Sequence, residues 1–231
     1  GEIAEVIIYD QTLTAEQSER VGSYLSKKYG LNTSYTDASG LKSYVWVKVP
    51  RLTQNISIWA CWGNTNAVTQ PAYTTNGSTW SEGYIGVWHL NANEKDATPN
   101  GYNGTNVNST NALGMIAGAH GFDGTGDYVD FGDINAVDGA SKLTVDMWVR
   151  STDAGDGDLI TKGAHSINVP LLLWRDDVTS AGTYDSYAAV VNTNRVSGGN
   201  NLCVNSVWQH VAFSFTGGSS TGLRLYVNGA E

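Results

Sequence analysis

The residues best suited to hold a ligand lie in the run Asp96-Ala97-Thr98-Pro99-Asn100-Gly101-Tyr102-Asn103-Gly104-Thr105. Calcium takes about six to eight hard oxygens, which Asx side chains and loop carbonyls supply readily. Asp96, Asn100 and Asn103 are the candidate ligands within the run, and Asp123 and Asp127 from the following turns are candidates to complete the set. The competing reading is a turn-rich loop whose Asx side chains bond their own backbone. A second candidate is a sugar platform, which needs an aromatic face with polar partners beside it. Trp174, Arg175 and Asp176, with Tyr184 and Tyr187 flanking the loop that follows, offer those types. His89 and His210 have no second His or Cys at metal-ligand spacing, so structural histidines are favoured over a zinc site.

Catalytic groupings are missing from the sequence. Glu2 and Glu5 are three apart in a strand-like run and point to opposite faces. A retaining glycosidase needs two carboxylates facing one cleft about 5 Å apart. There is no phosphate-cradling loop, so the chain reads as a non-enzyme. A net charge of −9 with 13 Lys and Arg argues against nucleic acid as a partner, since that contact relies on clustered cations. It also leaves no polybasic handle for an anionic membrane, and no apolar run reaches the roughly 18 residues a spanning helix needs. Five N-glycosylation sequons occur, at Asn32, Asn55, Asn76, Asn103 and Asn108; in so Asn- and Thr-rich a chain they are weak signals. Cys61 and Cys203 are too few for a disulfide framework, and two buried thiols are favoured over a bridge.

The elements that must position these groups are mostly strands. With 27 glycines, 10% aromatics and only 15% charged residues, the composition suits an all-β protein of short strands and polar turns. One helix is expected, over residues 15–29. Thr14-Ala15-Glu16-Gln17 forms a capping box, Val21, Tyr24, Leu25 and Tyr29 follow at helical spacing, and Gly30 suits the C-cap. Strand patterns fall at Tyr44–Val49, Ile56–Trp62 and Tyr84–Leu90, followed by a long loop over 91–111. Seven more follow: Tyr128–Phe131, Leu143–Arg150, Leu159–Lys162, Leu171–Trp174, Tyr187–Val191, Trp208–Phe215 and Leu223–Val227. Between 143 and 150, Leu143, Val145, Met147 and Val149 share one face, and Thr144, Asp146, Trp148 and Arg150 the other. Seven strands at this spacing indicate a two-sheet antiparallel sandwich with one short peripheral helix.

The runs FDGTGDYVDFG, LTVDMWVR, VWQHVAFSF and LRLYVNG, in that order, resemble the laminin-G-like jelly rolls of the concanavalin A-like lectin/glucanase superfamily. The opening GEIAEVIIYDQTLTAEQSERVGSYLSKKYG is similar to the last strand and terminal helix of the same family. Val45 to Leu90 resembles the second half of a bacterial surface domain that commonly precedes such a jelly roll. Together these resemblances imply a family tail over 1–31, a partial β-rich surface domain over 32–92, and a jelly roll incomplete at its C-terminal end over 93–231. They imply glycan binding or adhesion at the outside of a microbial cell, with calcium bound near the Asp96 loop. They further imply that Trp148 and Trp208 are packing residues, and the superfamily's Glu-x-Asp-x-x-Glu hydrolase signature is missing.

The order is unusual. Gly1–Tyr9 reads as a strand that closes a sandwich, and Leu223–Gly229 as one that more strands should follow. The favoured expectation is a segment of a longer protein carrying the tail of one jelly roll and most of the next. The alternative is that the 1–9 strand fills the edge beside Leu223–Val227, in this molecule or in a neighbour, which would make a filament or stalk subunit.

Overall fold

The computed structural model describes residues 21–22, 44–49, 51, 53, 57–60, 69, 71–91, 93–152, 155–164, 166, 168–177, 185–199, 201–219 and 221–231. The chain divides into two compact units, Gly1–Val47 and Lys48–Glu231. In the first, Val21 and Gly22 are helical, inside the span expected from the capping box. The remainder of that helix and the Gly1–Tyr9 strand lie outside the described residues.

The second unit contains eleven described strands, all antiparallel. They are β1 (Thr105–Val107), β2 (Thr110–Leu113), β3 (Gly118–Gly121), β4 (Tyr128–Asp130), β5 (Lys142–Val149) and β6 (Gly157–Lys162). They continue with β7 (Leu171–Asp177), β8 (Asp185–Val191), β9 (Asn194–Ser197), β10 (Gln209–Thr216) and β11 (Leu223–Val227). Two ribbons, β1 with β4 and β2 with β3, precede a three-stranded sheet ordered β11-β10-β5 and a four-stranded sheet ordered β6-β7-β8-β9. All seven strands expected from Tyr128 onward are present.

The two larger sheets meet through one apolar cluster. Leu143 from β5, Val211, Phe213 and Phe215 from β10, and Leu223, Leu225 and Val227 from β11 face Leu171 and Leu173 of β7 and Tyr187, Ala189 and Val191 of β8. Each fully buried side chain of this size contributes about 1.5–3 kcal/mol of hydrophobic stabilisation, so this layer dominates the fold's energetics. The period of two along β5, β10 and β11 puts alternate residues inward, which is why these sequences alternate apolar with polar. β7 and β8 behave differently. Leu172, Trp174, Ala188 and Val190 point away from that cluster and are buried with Val169 in a second one. A strand buried on both faces reads as a continuous apolar run, as Leu171-Leu172-Leu173-Trp174 and Ala188-Ala189-Val190-Val191 do.

Upstream, the strand expectations fail. Residues 44–49 have no regular structure, and Val45 and Val47 are exposed. Residues 57–60 have none either, and Trp59 is 85% exposed. Within 84–90 only Trp88 makes a bridge, to Asp96. An alternating pattern specifies a strand only where a partner takes its hydrogen bonds and covers its apolar face. Conversely, the stretch expected as one long loop carries β1 and the start of β2. Cys203 is a free thiol buried in the core, and Cys61 lies outside the described residues.

Candidate functional site

Asp96 organises its loop from within. Its Oδ1 accepts from the Val87 and Thr98 amides at 3.0 and 2.9 Å, and its Oδ2 accepts from the Thr98 hydroxyl and the Tyr102 amide at 2.8 and 3.0 Å. Four donors occupy the acceptor sites that a carboxylate offers. Burial alone would raise this carboxyl, but the bonds from Thr98, Val87 and Tyr102 outweigh it and hold the group below the usual carboxylate value. Asn103 Oδ1 accepts from the Asp96 amide at 3.0 Å, and Asn100 Nδ2 donates to the Tyr84 and Ile85 carbonyls. The indole of Trp88 donates to the Tyr102 carbonyl at 2.7 Å and packs on Phe131, with ring centroids 4.2 Å apart. Gly104 lies so close to this pair that a Cβ there would collide with Val129 and Phe131.

Asp123 and Asp127 are brought to one turn: Asp127 Oδ2 accepts from the Asp123 amide, and Asp123 Oδ1 from the Thr125 amide, both at 2.7 Å. Among the described residues no three His, Cys, Asp or Glu side chains are gathered as a metal centre requires. The Asx side chains of the run thus serve local turns and the neighbouring 84–88 segment.

A second polar cluster escaped the sequence reading. Ser109 Oγ lies 2.7 Å from His120 Nδ1, and His120 Nε2 lies 3.2 Å from Glu94 Oε1, with the imidazole almost fully buried. Serine, histidine and glutamate are the types of a hydrolytic relay. The hydrogen-bond distances argue against that role for Ser109. Asn106 is fixed by the Ser109 backbone, which donates to Oδ1 at 3.1 Å and accepts from Nδ2 at 2.9 Å. Its Oδ1 also sits 2.5 Å from Ser109 Oγ, so the hydroxyl proton goes to Asn106 and His120 has none to take. Glu94 Oε1 approaches Nε2 without an aligned hydrogen bond to it. The cluster ties the 91–104 loop to the β2–β3 ribbon. The Asn-x-x-Ser spacing of Asn106 and Ser109 carries no signal for such long-range contacts.

The aromatic candidates are reversed. Trp174 is 5% exposed, its ring capped by the Arg195 guanidinium 5.1 Å from the centroid. Arg175 is buried, donating to Ser151 Oγ at 2.6 Å. Tyr187 is buried in the core, with its hydroxyl donating to Gln209 Oε1 at 3.0 Å. No ring face of Trp174 or Tyr187 is open to a sugar, because β7 and β8 are covered on both sides. Tyr184 and the side chain of Asp176 lie outside the described residues. In contrast Trp148, expected from the family pattern to pack inward, is 41% exposed. Its neighbours Leu143, Val145, Met147 and Val149 turn toward the core, so the pleat sends Trp148 outward.

Around Trp148 the outer face of β11-β10-β5 carries a mixed aromatic and polar surface. His210, directly opposite on β10, has its ring centroid 5.4 Å from the indole and its Nε2 3.4 Å from Asp146 Oδ1. Asn228 Oδ1 accepts from the His210 amide at 3.0 Å and steadies that strand end. Arg150 lies over the ring of Trp208 at 5.2 Å. Tyr226 and Arg224 extend the surface on β11.

An indole on an antiparallel sheet of this kind invites comparison with known proteins. Residues 123–231 match the family model of the concanavalin A-like lectin/glucanases superfamily. The laminin-G-like region so defined begins at Asp123 and takes in β4 to β11, both larger sheets included. No curated protein and no solved structure matches the chain. The superfamily is compatible with carbohydrate-binding and adhesion modules and includes glycosidases, whereas laminin-G-like domains are typically non-catalytic.

Proposed function

We propose that this chain is a non-catalytic glycan-binding module of an extracellular or surface-displayed microbial protein. Its binding face is the outer side of β11-β10-β5, with Trp148 as the platform. The observation that carries the reading is the exposed indole flanked by His210 and Asp146. An aromatic ring stacks on the apolar face of a sugar, while nearby polar groups bond its hydroxyls. The indole of Trp148, 41% exposed on the outer side of the sheet, is not used up by core packing. The Ser109 proton arrangement supports the non-catalytic reading, since the hydroxyl is spent on Asn106. Calcium has no part in the proposed contact, as the Asp96 carboxylate is filled by protein donors.

A glycan array probed with the wild-type chain and with Trp148→Ala tests this. Signal on a defined set of glycans, lost in a Trp148→Ala protein of unchanged melting temperature, supports the reading. Equal signal from both, or measurable turnover of a polysaccharide, defeats it. One observation favours a second reading, a filament or stalk subunit: among the described strands β11 pairs only with β10, and an open edge recruits strands. Concentration-dependent polymers in sedimentation, without glycan capture, would select it.

A further inference from the structure

Three of the Asn-x-Ser/Thr sequons fall among the described residues, at Asn76, Asn103 and Asn108. Such a tripeptide accepts a saccharide on the Asn amide nitrogen and belongs on a surface loop. The hydroxyl two positions on is part of the motif, so its placement separates the three. At two of them the hydroxyl residue is taken into a sheet: Thr105 opens β1 opposite Asp130, and Thr110 opens β2 opposite Gly121. The Asn103 carboxamide turns instead to the Asp96 amide, at 3.0 Å, and the Asn108 side chain has no hydrogen bond among the described residues. Neither carboxamide meets its own hydroxyl.

Asn76 is built differently. It lies exposed between two single-turn 3-10 helices, Ala72–Thr74 and Ser78–Trp80. Its Oδ1 accepts from the Ser78 amide at 3.0 Å and from the Ser78 hydroxyl at 2.6 Å. Both Ser78 donors converge on one carbonyl, and Nδ2 has no protein acceptor among the described residues. The middle residue fixes the turn against its surroundings. Gly77 has a φ of +78°, and a Cβ there would lie 2.5 Å from Pro99 N and 2.6 Å from the Thr98 carbonyl carbon. Glycine alone lets the turn settle on the loop that Asp96 organises.

From this geometry we infer that Asn76 is an N-glycosylation site of the folded chain. The donor is a saccharide carried on a lipid diphosphate. A carboxamide nitrogen is a weak nucleophile because its lone pair is delocalised onto oxygen. As Nδ2 gives a proton to a base of the transferase, the two Ser78 donors stabilise the negative Oδ1 of the imidate. Nδ2 then bonds to the anomeric carbon, the bond from that carbon to the phosphate oxygen breaks, and the lipid diphosphate leaves with the electron pair. Both Ser78 bonds end on Oδ1, so attachment at Nδ2 keeps the turn. The inference is independent of glycan binding at Trp148.

The test presents the folded chain, and separately a peptide spanning each sequon, to a purified sequon-specific oligosaccharyltransferase with a lipid diphosphate oligosaccharide. Glycopeptide mass spectrometry reads the occupancy of Asn76, Asn103 and Asn108. The folded chain is expected to prefer Asn76 over either other site by at least about tenfold, and the peptides to show no such preference. Gly77→Ala keeps the sequon but not the turn. Transfer to that folded variant should fall about tenfold, while its peptide accepts as well as the wild-type one. An unmodified Asn76 in the folded chain, a smaller preference, the same preference in the peptides, or full transfer to folded Gly77→Ala overturns the inference. The wild-type comparison decides it should Gly77→Ala fail to fold.

Discussion

The two large sheets bury their inner faces together, but their outer faces differ. On β7 and β8 the outward residues are Leu172, Trp174, Ala188 and Val190, all at or below 5% exposure. On β5, β10 and β11 the corresponding positions are Asp146, Trp148, His210, Ala212 and Tyr226, none of them fully buried. Each face carries a tryptophan, Trp174 on one and Trp148 on the other, and the surroundings decide what each does. Trp174, among aliphatic neighbours and under Arg195, holds the protein together. Trp148, beside His210 and Asp146, is available to a partner. An aromatic residue type therefore says little about function until the pairing of its strand is known.

The contrast can be broken first at Trp174. Replacement by alanine removes a buried indole, and a loss of about 3–5 kcal/mol is expected in urea unfolding. A loss below 1 kcal/mol would show that this face is not packed as described. Next in size is Asp96→Ala, which strands three backbone amides. A loss of about 2–4 kcal/mol is expected by the same method. The same carboxylate makes the fold acid-sensitive. Its folded-state value is depressed, so the unfolded chain takes up the proton first. Its stabilisation is complete above the ordinary carboxyl value of about 3.9 and fades as pH falls below it. Asp96→Asn should flatten that part of the pH–stability curve.

Smaller again is Arg195→Ala, which uncaps Trp174 and should cost about 0.5–2 kcal/mol. Trp148→Ala sits at the low end for stability, within about 0.5–1 kcal/mol of wild type, since its ring is largely solvated. A much larger loss would make it a packing residue after all, as the family pattern implied. Chelation marks zero on this scale: excess EDTA should leave the melting temperature unchanged, because protein donors fill the Asp96 oxygens. A fall on chelation, reversed by calcium, would restore a metal to this region.

From Tyr128 onward the strands were legible because their apolar residues recur with period two and turn residues punctuate them. The orientation of Trp148 was legible too: alternation with Leu143, Val145 and Met147 puts it outward, and the family resemblance pointed the other way. The local physical pattern was the better guide. Trp174 was put forward as a platform for its residue type and its place beside the following loop, although the unbroken apolar run Leu171-Leu172-Leu173 before it signals burial on both faces. Tyr44–Val49 alternates as well as β5 does yet forms no strand, since alternation cannot supply a pairing partner. The Ser109–His120–Glu94 cluster was invisible because its members lie up to 26 positions apart and meet only through tertiary packing. In the Asp96 loop the Asx turns that were weighed beside calcium are present. What sequence could not show was that four donors converge on one carboxylate.

The central claim is that the outer face of β11-β10-β5 is the binding face and that of β7 and β8 is core. It is tested most directly by titrating one captured oligosaccharide into wild type and Trp148→Ala while following thermal unfolding of both. The account predicts binding lost at least tenfold in Trp148→Ala with the melting temperature unchanged. Undiminished binding by Trp148→Ala would contradict it.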